Sequence, residues 1–135
     1  MIIREDTITY FEQDKPYVQD YLKSRGLKNR ELFSIISNYP FALLEDARFV
    51  VEENEYEITH FLSKSDIAGY DIKKVNELFK LDLTEKIAIA VVAGDDLLCY
   101  NTKKRNVYLW KIQTGDSEEI VIPDSLTKFL KSINK

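Results

Sequence analysis

Apolar positions along this chain change spacing, from helical in the first third to strand-like in the last. Behind Asp14-Lys15-Pro16, the residues Tyr17, Val18, Tyr21 and Leu22 recur at i, i+1, i+4 and i+5. That spacing draws one apolar stripe on a helix; proline suits its first turn and Gly26 marks its stop. A second short helix is expected from Asn29, carrying Leu32, Phe33, Ile35 and Ile36. Phe41, Leu44, Ala47 and Val51 keep helical spacing behind Pro40. We read a helix there to about Glu52, although Phe49-Val50-Val51 could open a strand instead. From Tyr56 the period becomes two, with Tyr56, Ile58, His60 and Leu62 on one side of an expected strand. Asp71 stands where it can cap a helix whose inner face is Ile72, Val75 and Leu78 or Phe79.

The rest reads as a β-meander closed by a helix. Lys86 to Ala93 is a strand with Ile87, Ile89 and Val91 facing one way. Ala88 and Ala90 face the other way, where small side chains let a helix approach. Leu97 to Asn101, Val107 to Ile112 and Glu118 to Ile122 follow, with the polar turn Thr102-Lys103-Lys104-Arg105 after the first of them. Pro123-Asp124 opens a last helix with Leu126, Phe129, Leu130 and Ile133 on one stripe. The expected class is α+β: a mostly antiparallel β-meander sheet packed with N-terminal, middle and C-terminal helices. Residues 1–135 make one domain, with 1–30 as an N-terminal helical extension.

Composition narrows the function. At 44% apolar and 31% charged the chain matches an ordinary soluble protein. Its longest apolar run, Ile87 to Ala93, is too short to span a bilayer, and MIIREDTITYF lacks a secretory apolar segment, so a cytoplasmic location without membrane contact is expected. The net charge of −4 argues against nucleic acid and suits a basic protein partner. The single cysteine, Cys99, is flanked by Leu97, Leu98 and Tyr100 and reads as a buried, inert thiol. Trp110, Tyr108 and Phe129 read as core beside it.

Chemistry-bearing groups are scarce. His60 is the one histidine, which excludes a histidine-rich zinc site. His60, Ser63 and Asp66 are close in sequence but lack a nucleophile elbow, so a small hydrolase is the least favoured reading. Four isolated glycines make neither a P-loop nor a dinucleotide fingerprint, and no cofactor is expected. Adjacent Asp95 and Asp96 read as turn residues, without the spaced oxygen ligands of a calcium loop. The charge pattern says more. Residues 45–57 hold Glu45, Asp46, Glu52, Glu53, Glu55 and Glu57 against the one base Arg48, and Asp116, Glu118 and Glu119 form a second acidic group. Such clusters are either a solvated face or a surface that steers a positive partner.

One group of motifs has a familiar arrangement. An apolar strand leads into Gly94-Asp95-Asp96, then Leu97-Leu98-Cys99, a polar turn, and Val107-Tyr108-Leu109-Trp110. An acidic loop and a helix with Ser125 and Phe129-Leu130 follow. This resembles the SUKH superfamily, which unites Smi/Knr-type cell-wall regulators with many bacterial immunity proteins. Tyr39-Pro40 looks like the "LP" that opens that family's helix, and Ile58 to Ser63 like its first strand. The resemblance covers roughly residues 30–134. It departs where the family's Asn-Gly-Gly turn appears as Asn54-Glu55-Tyr56, and where Leu97 follows Asp96 without further glycines.

The resemblance implies a non-enzymatic binding protein, often one that neutralises a cognate toxin, and it brings no catalytic residues. The leading expectation is therefore an immunity-type protein that binds a basic toxin domain. Its expected contact surface is Glu52, Glu53, Glu55, Asp95, Asp96, Asp116, Glu118 and Glu119. The alternative is a regulatory or scaffold module of the cell-wall branch, without a toxin partner.

Overall fold

The computed structural model describes residues 2–3, 15–26, 44–45, 47–62, 64–66, 69–79, 85–94, 96–111, 118–122 and 129. In chain order the elements are β1 (Ile2–Ile3), α1 (Lys15–Ser24), β2 (Leu44–Glu45), β3 (Arg48–Val51) and β4 (Asn54–Phe61). Then come α2 (Ile72–Leu78), β5 (Lys86–Val92), β6 (Asp96–Asn101), β7 (Asn106–Lys111) and β8 (Glu118–Ile122). β1 pairs antiparallel with β2. β3 to β8 form one six-stranded antiparallel sheet whose spatial order is the chain order. The architecture is α+β, with two helices among the described residues. The helix expected from Asn29 lies outside them. So does the C-terminal one apart from Phe129, which is helical and buried.

The helix read to about Glu52 is corrected: residues 48–51 are a strand, and 44–45 another. Phe49 and Val51 alternate inward against exposed Arg48 and Val50, and the aromatic and β-branched run fits a pleated surface better than a helix. Helical spacing misleads because Ala47 and Val51, two of its four positions, are also inward on the strand path.

Cross-strand register sorts the side chains, since residues directly opposite share a face. One face carries Phe49, Tyr56, Ile58, Phe61, Ala90, Leu98, Leu109 and Ile120, and Phe129 packs edge-on against Phe49 there. The other carries His60, Ala88, Val91, Leu97, Cys99, Tyr108 and Trp110, with Phe79 edge-on against Trp110. Cover on both sides explains why β6 is buried at all six positions and why β5 reads as an unbroken apolar run. Toward the sheet edges the second face opens, leaving Val50 65% and Val121 61% exposed.

Two register shifts overturn the simple alternation expected from the sequence. One lies between Ile58 and His60, so Ile58 and Phe61 share a face and His60 takes the opposite one. The other lies between Ala88 and Ala90, so Ile87 and Ala90 face together while Ala88 faces with Val91.

α1 forms where the stripe predicts. Val18 and Leu22 are fully buried in the same core cluster as the sheet, so this helix belongs to the core. Gly26, at φ +84°, ends it in the left-handed region, with its N–H on the Lys23 carbonyl at 3.0 Å. Asp71 caps α2 as expected, accepting from Lys74 N–H at 3.0 Å. It also accepts from Ser65 N–H at 2.9 Å and from the Tyr17 hydroxyl at 3.0 Å, so one buried carboxylate ties α1, α2 and the connection before α2 together. Burial and the Asp71 carboxylate push the Tyr17 phenol up to about 12. On the α2 stripe Phe79 turns inward and Leu78 is exposed.

The stripe also contains Asn76, fully buried. Its carboxamide accepts from Ala88 N–H at 2.8 Å and donates to Ala88 C=O at 3.0 Å, and its second N–H reaches Ile72 C=O at 2.8 Å. β4 pairing with β5 stops near Leu62, whose N–H bonds Ile89 C=O. Asn76 thus takes the place of the next strand residue on the β5 edge. Asn76→Leu leaves both Ala88 groups buried and unpaired, so we expect a loss of roughly 3 kcal/mol in urea unfolding. Leu78→Ala on the exposed side should cost well under about 1 kcal/mol.

Candidate functional site

Because consecutive strands run in opposite directions, alternate connections leave from the same end of the sheet. The β3–β4 turn is at one end, together with the strand ends that bracket residues 93–95 and 112–117. The basic turn Lys103-Lys104-Arg105 is at the other. Six strands at the usual spacing make each end roughly 24 Å long. The topology therefore places the exposed Glu52, Glu53 and Glu55 at the first end, where Lys111 ends β7, and Lys103-Lys104-Arg105 at the second, where Lys103 pairs with Glu85 at 3.1 Å.

At the acidic end the best-defined feature is the β3–β4 hairpin. Val51 pairs with Asn54, so the loop is Glu52-Glu53. Their φ angles of 51° and 68° are both left-handed, the signature of a type I′ turn. The expected turn at Asn54-Glu55-Tyr56 is thus displaced: Asn54 opens β4. Type I′ turns favour Asn-Gly, and a non-glycine residue held left-handed costs on the order of 1 kcal/mol. The hairpin keeps two glutamates there, both exposed. Glu55 is exposed as well and pairs with Arg48 at 3.5 Å, a surface ion pair that contributes little to stability.

The remaining expected contact residues divide. Asp96 begins β6 opposite Val92 and is only 8% exposed, so it offers a partner little carboxylate surface. Glu118 begins β8 opposite Lys111, at the acidic end. Glu119 is exposed on the second face, and its carboxylate meets the Lys86 ammonium, which also lies 5.2 Å from the centre of the Tyr108 ring. Asp95 and Asp116 lie outside the described residues. The structure thus brings Glu52, Glu53, Glu55 and the start of β8 to one end and draws Glu119 into an ion pair.

The other candidate groups are tied into the fold. His60 is 5% exposed; its Nε2 lies 3.0 Å from Gly69 C=O and its Nδ1 3.0 Å from Thr59 Oγ1. Asp66 is exposed, and Ser63 lies outside the described residues. Cys99, Tyr108, Trp110 and Phe129 are core, as expected. Burial pushes the Cys99 thiol up to about 12. Burial, with Cys99 opposite on the ladder, also raises the Tyr108 phenol well above its ordinary value. Among the described residues the Asn106 Oδ1 is buried without a hydrogen-bond partner, and the Tyr108 hydroxyl has only the weak Cys99 thiol beside it.

Comparisons with protein-family models, with curated proteins and with solved structures found no match. Among the described residues no cluster of three or more His, Cys, Asp or Glu side chains is placed to hold a metal ion. No helix of the described residues is long and apolar enough to cross a membrane.

Sequence reasoning points to the acidic stretches but misses the Glu52-Glu53 turn. The turn is set by pairing: Val51 opposite Asn54 leaves only Glu52 and Glu53 to reverse the chain, and neither is a residue that ordinarily marks such a turn. Giving the turn the Asn-Gly pair it favours, as the double variant Glu52→Asn, Glu53→Gly, should stabilise the protein by roughly 1 kcal/mol, read as a raised thermal midpoint. Cys99 should resist a thiol reagent near neutral pH in the native protein and react at once in denaturant; rapid native labelling would contradict its burial.

Proposed function

We propose that this protein is a non-enzymatic binding module of the immunity type, which neutralises a basic toxin domain by occupying it. The observation that carries this reading is the acidic end of the sheet. There the exposed Glu52 and Glu53 hold left-handed conformations that an Asn-Gly pair would fill at lower cost. A strained, charged turn on a rigid sheet covered on both faces suits recognition, because it presents its carboxylates in a fixed geometry. Grouping acids along one edge also focuses negative potential and speeds encounter with a positive surface.

The motif resemblance supports the same reading. In a SUKH-like arrangement the C-terminal helix that contains Phe129 covers the first face of the sheet, while the middle helix covers the second. The sheet is then scaffold and the turns are the variable contact surface.

Co-expression with a toxin domain encoded beside this gene tests the proposal. Rescue of growth and co-purification are expected; undiminished lethality would overturn it. With such a partner in hand, Glu52→Lys, Glu53→Lys should slow association about tenfold at low salt, with the difference shrinking as salt rises. An unchanged on-rate would remove the hairpin from the interface. The Asn-Gly double variant should separate stability from binding, since it raises one and weakens the other.

A further inference from the structure

β3 is the last strand on its side of the six-stranded sheet, and among the described residues no strand pairs with its outer edge. A type I′ turn closes on a hydrogen-bonded pair, here Val51 with Asn54. Bonded and non-bonded pairs alternate along an antiparallel ladder, so Val50 opposite Glu55 is a non-bonded pair. The Val50 N–H and C=O therefore point away from β4, toward the outer edge. Its side chain is 65% exposed. One donor, one acceptor and one apolar side chain are thus offered at a single position.

Edge strands are ordinarily guarded against further pairing by charge, proline, a bulge or a cover. β8, at the opposite edge, contains Glu118 and Glu119 and is followed directly by Pro123. β3 has no proline, and its register with β4 runs unbroken over four pairs. Its one charge, Arg48, is engaged by Glu55 at 3.5 Å. Just past the strand stand the exposed Glu52 and Glu53. Two backbone hydrogen bonds and one valine make a weak site alone. The two carboxylates select what can use it, attracting positive side chains and repelling negative ones.

We propose that the outer edge of β3 is a β-augmentation site for an extended, lysine- or arginine-bearing segment of a partner protein. The segment pairs its backbone with Val50, lays an apolar residue beside the Val50 side chain, and sets its cations against Glu52 and Glu53. It rests on the acidic end being a docking surface, and adds the mode of docking: a strand laid along the edge.

The test uses the full chain and a synthetic peptide of alternating valine and lysine, with amide exchange read by NMR. We expect the Val50 N–H to exchange fast in the free protein, unlike those of Phe49 and Val51, and to slow when peptide is added. Replacing the peptide lysines with glutamate, N-methylating its backbone with the charge kept, or changing Val50→Pro should each weaken binding by about tenfold or more. Proline at that position removes no bond to β4, and Val50→Thr, which keeps the N–H, should bind like the wild type. Equal binding by the N-methylated peptide, or binding that leaves Val50 exchange unchanged, would overturn augmentation while the acidic end stands as a docking surface. Absence of any binding at low salt would overturn it too. So would a Val50 amide already protected in a dimer of this chain, which would give the edge to a second copy. Undiminished lethality of a co-expressed toxin counts against the immunity reading alone, since the peptide result is obtained without a toxin.

Discussion

Strict neighbour-to-neighbour order in an antiparallel sheet is the constraint on which the rest of this molecule depends. With β3 to β8 laid down in chain order, each strand reverses the one before it, and every second connection is delivered to the same end. Nothing about the separate sequence positions 52–53, 94 and 118 requires them to share an end of the sheet. The ladder puts them there, and sends Lys103-Lys104-Arg105, with Glu85 paired to Lys103, to the far end. The start of β8 and the exposed glutamates of the β3–β4 hairpin, far apart in the chain, are thus brought to one end of the fold.

The sheet can act as a rigid platform because it is covered twice. Phe129 meets one face at Phe49, and α2 meets the other through Phe79 on Trp110. Placing a helix on the second face leaves a gap in the β5 ladder beyond Leu62, where backbone groups would be buried without partners. Asn76 fills that gap with a carboxamide, a side-chain group shaped like a peptide unit, and all its hydrogen-bonding protons are used. Packing and polar satisfaction are thus solved by the same residue. Its neighbour Asp71 has a similar part at the helix start, holding α1, α2 and the preceding connection on a single carboxylate.

Much of this is legible in the chain, and the misses have physical causes. The stripe Tyr17-Val18-Tyr21-Leu22, the Asp71 cap and the strands from Leu97 to Ile122 follow from period and propensity, which are local. The strand at residues 48–51 is misread because its inward positions coincide with helical spacing, and only its pairing with β4 separates the two. Both register shifts are invisible, since an extra residue in a ladder is defined by the partner strand. Asn76 carries an unused signal: it is a poor helix former on the apolar stripe of Ile72, Val75 and Phe79, and such a residue needs a buried partner. Of the acidic residues, sequence marks the stretches correctly but cannot distinguish exposed Glu52 and Glu53 from buried Asp96 or ion-paired Glu119.

A docking protein that works through the acidic end must show its footprint there. Amide hydrogen exchange of the protein alone and bound to a partner captured from its native cell would map that footprint directly. The account predicts protection concentrated at Val51 to Glu55, around Gly94 to Asp96 and at the start of β8, with the Thr102 to Arg105 turn unchanged. Protection confined to the basic turn, or spread over a face of the sheet with the Glu52-Glu53 hairpin untouched, would contradict it.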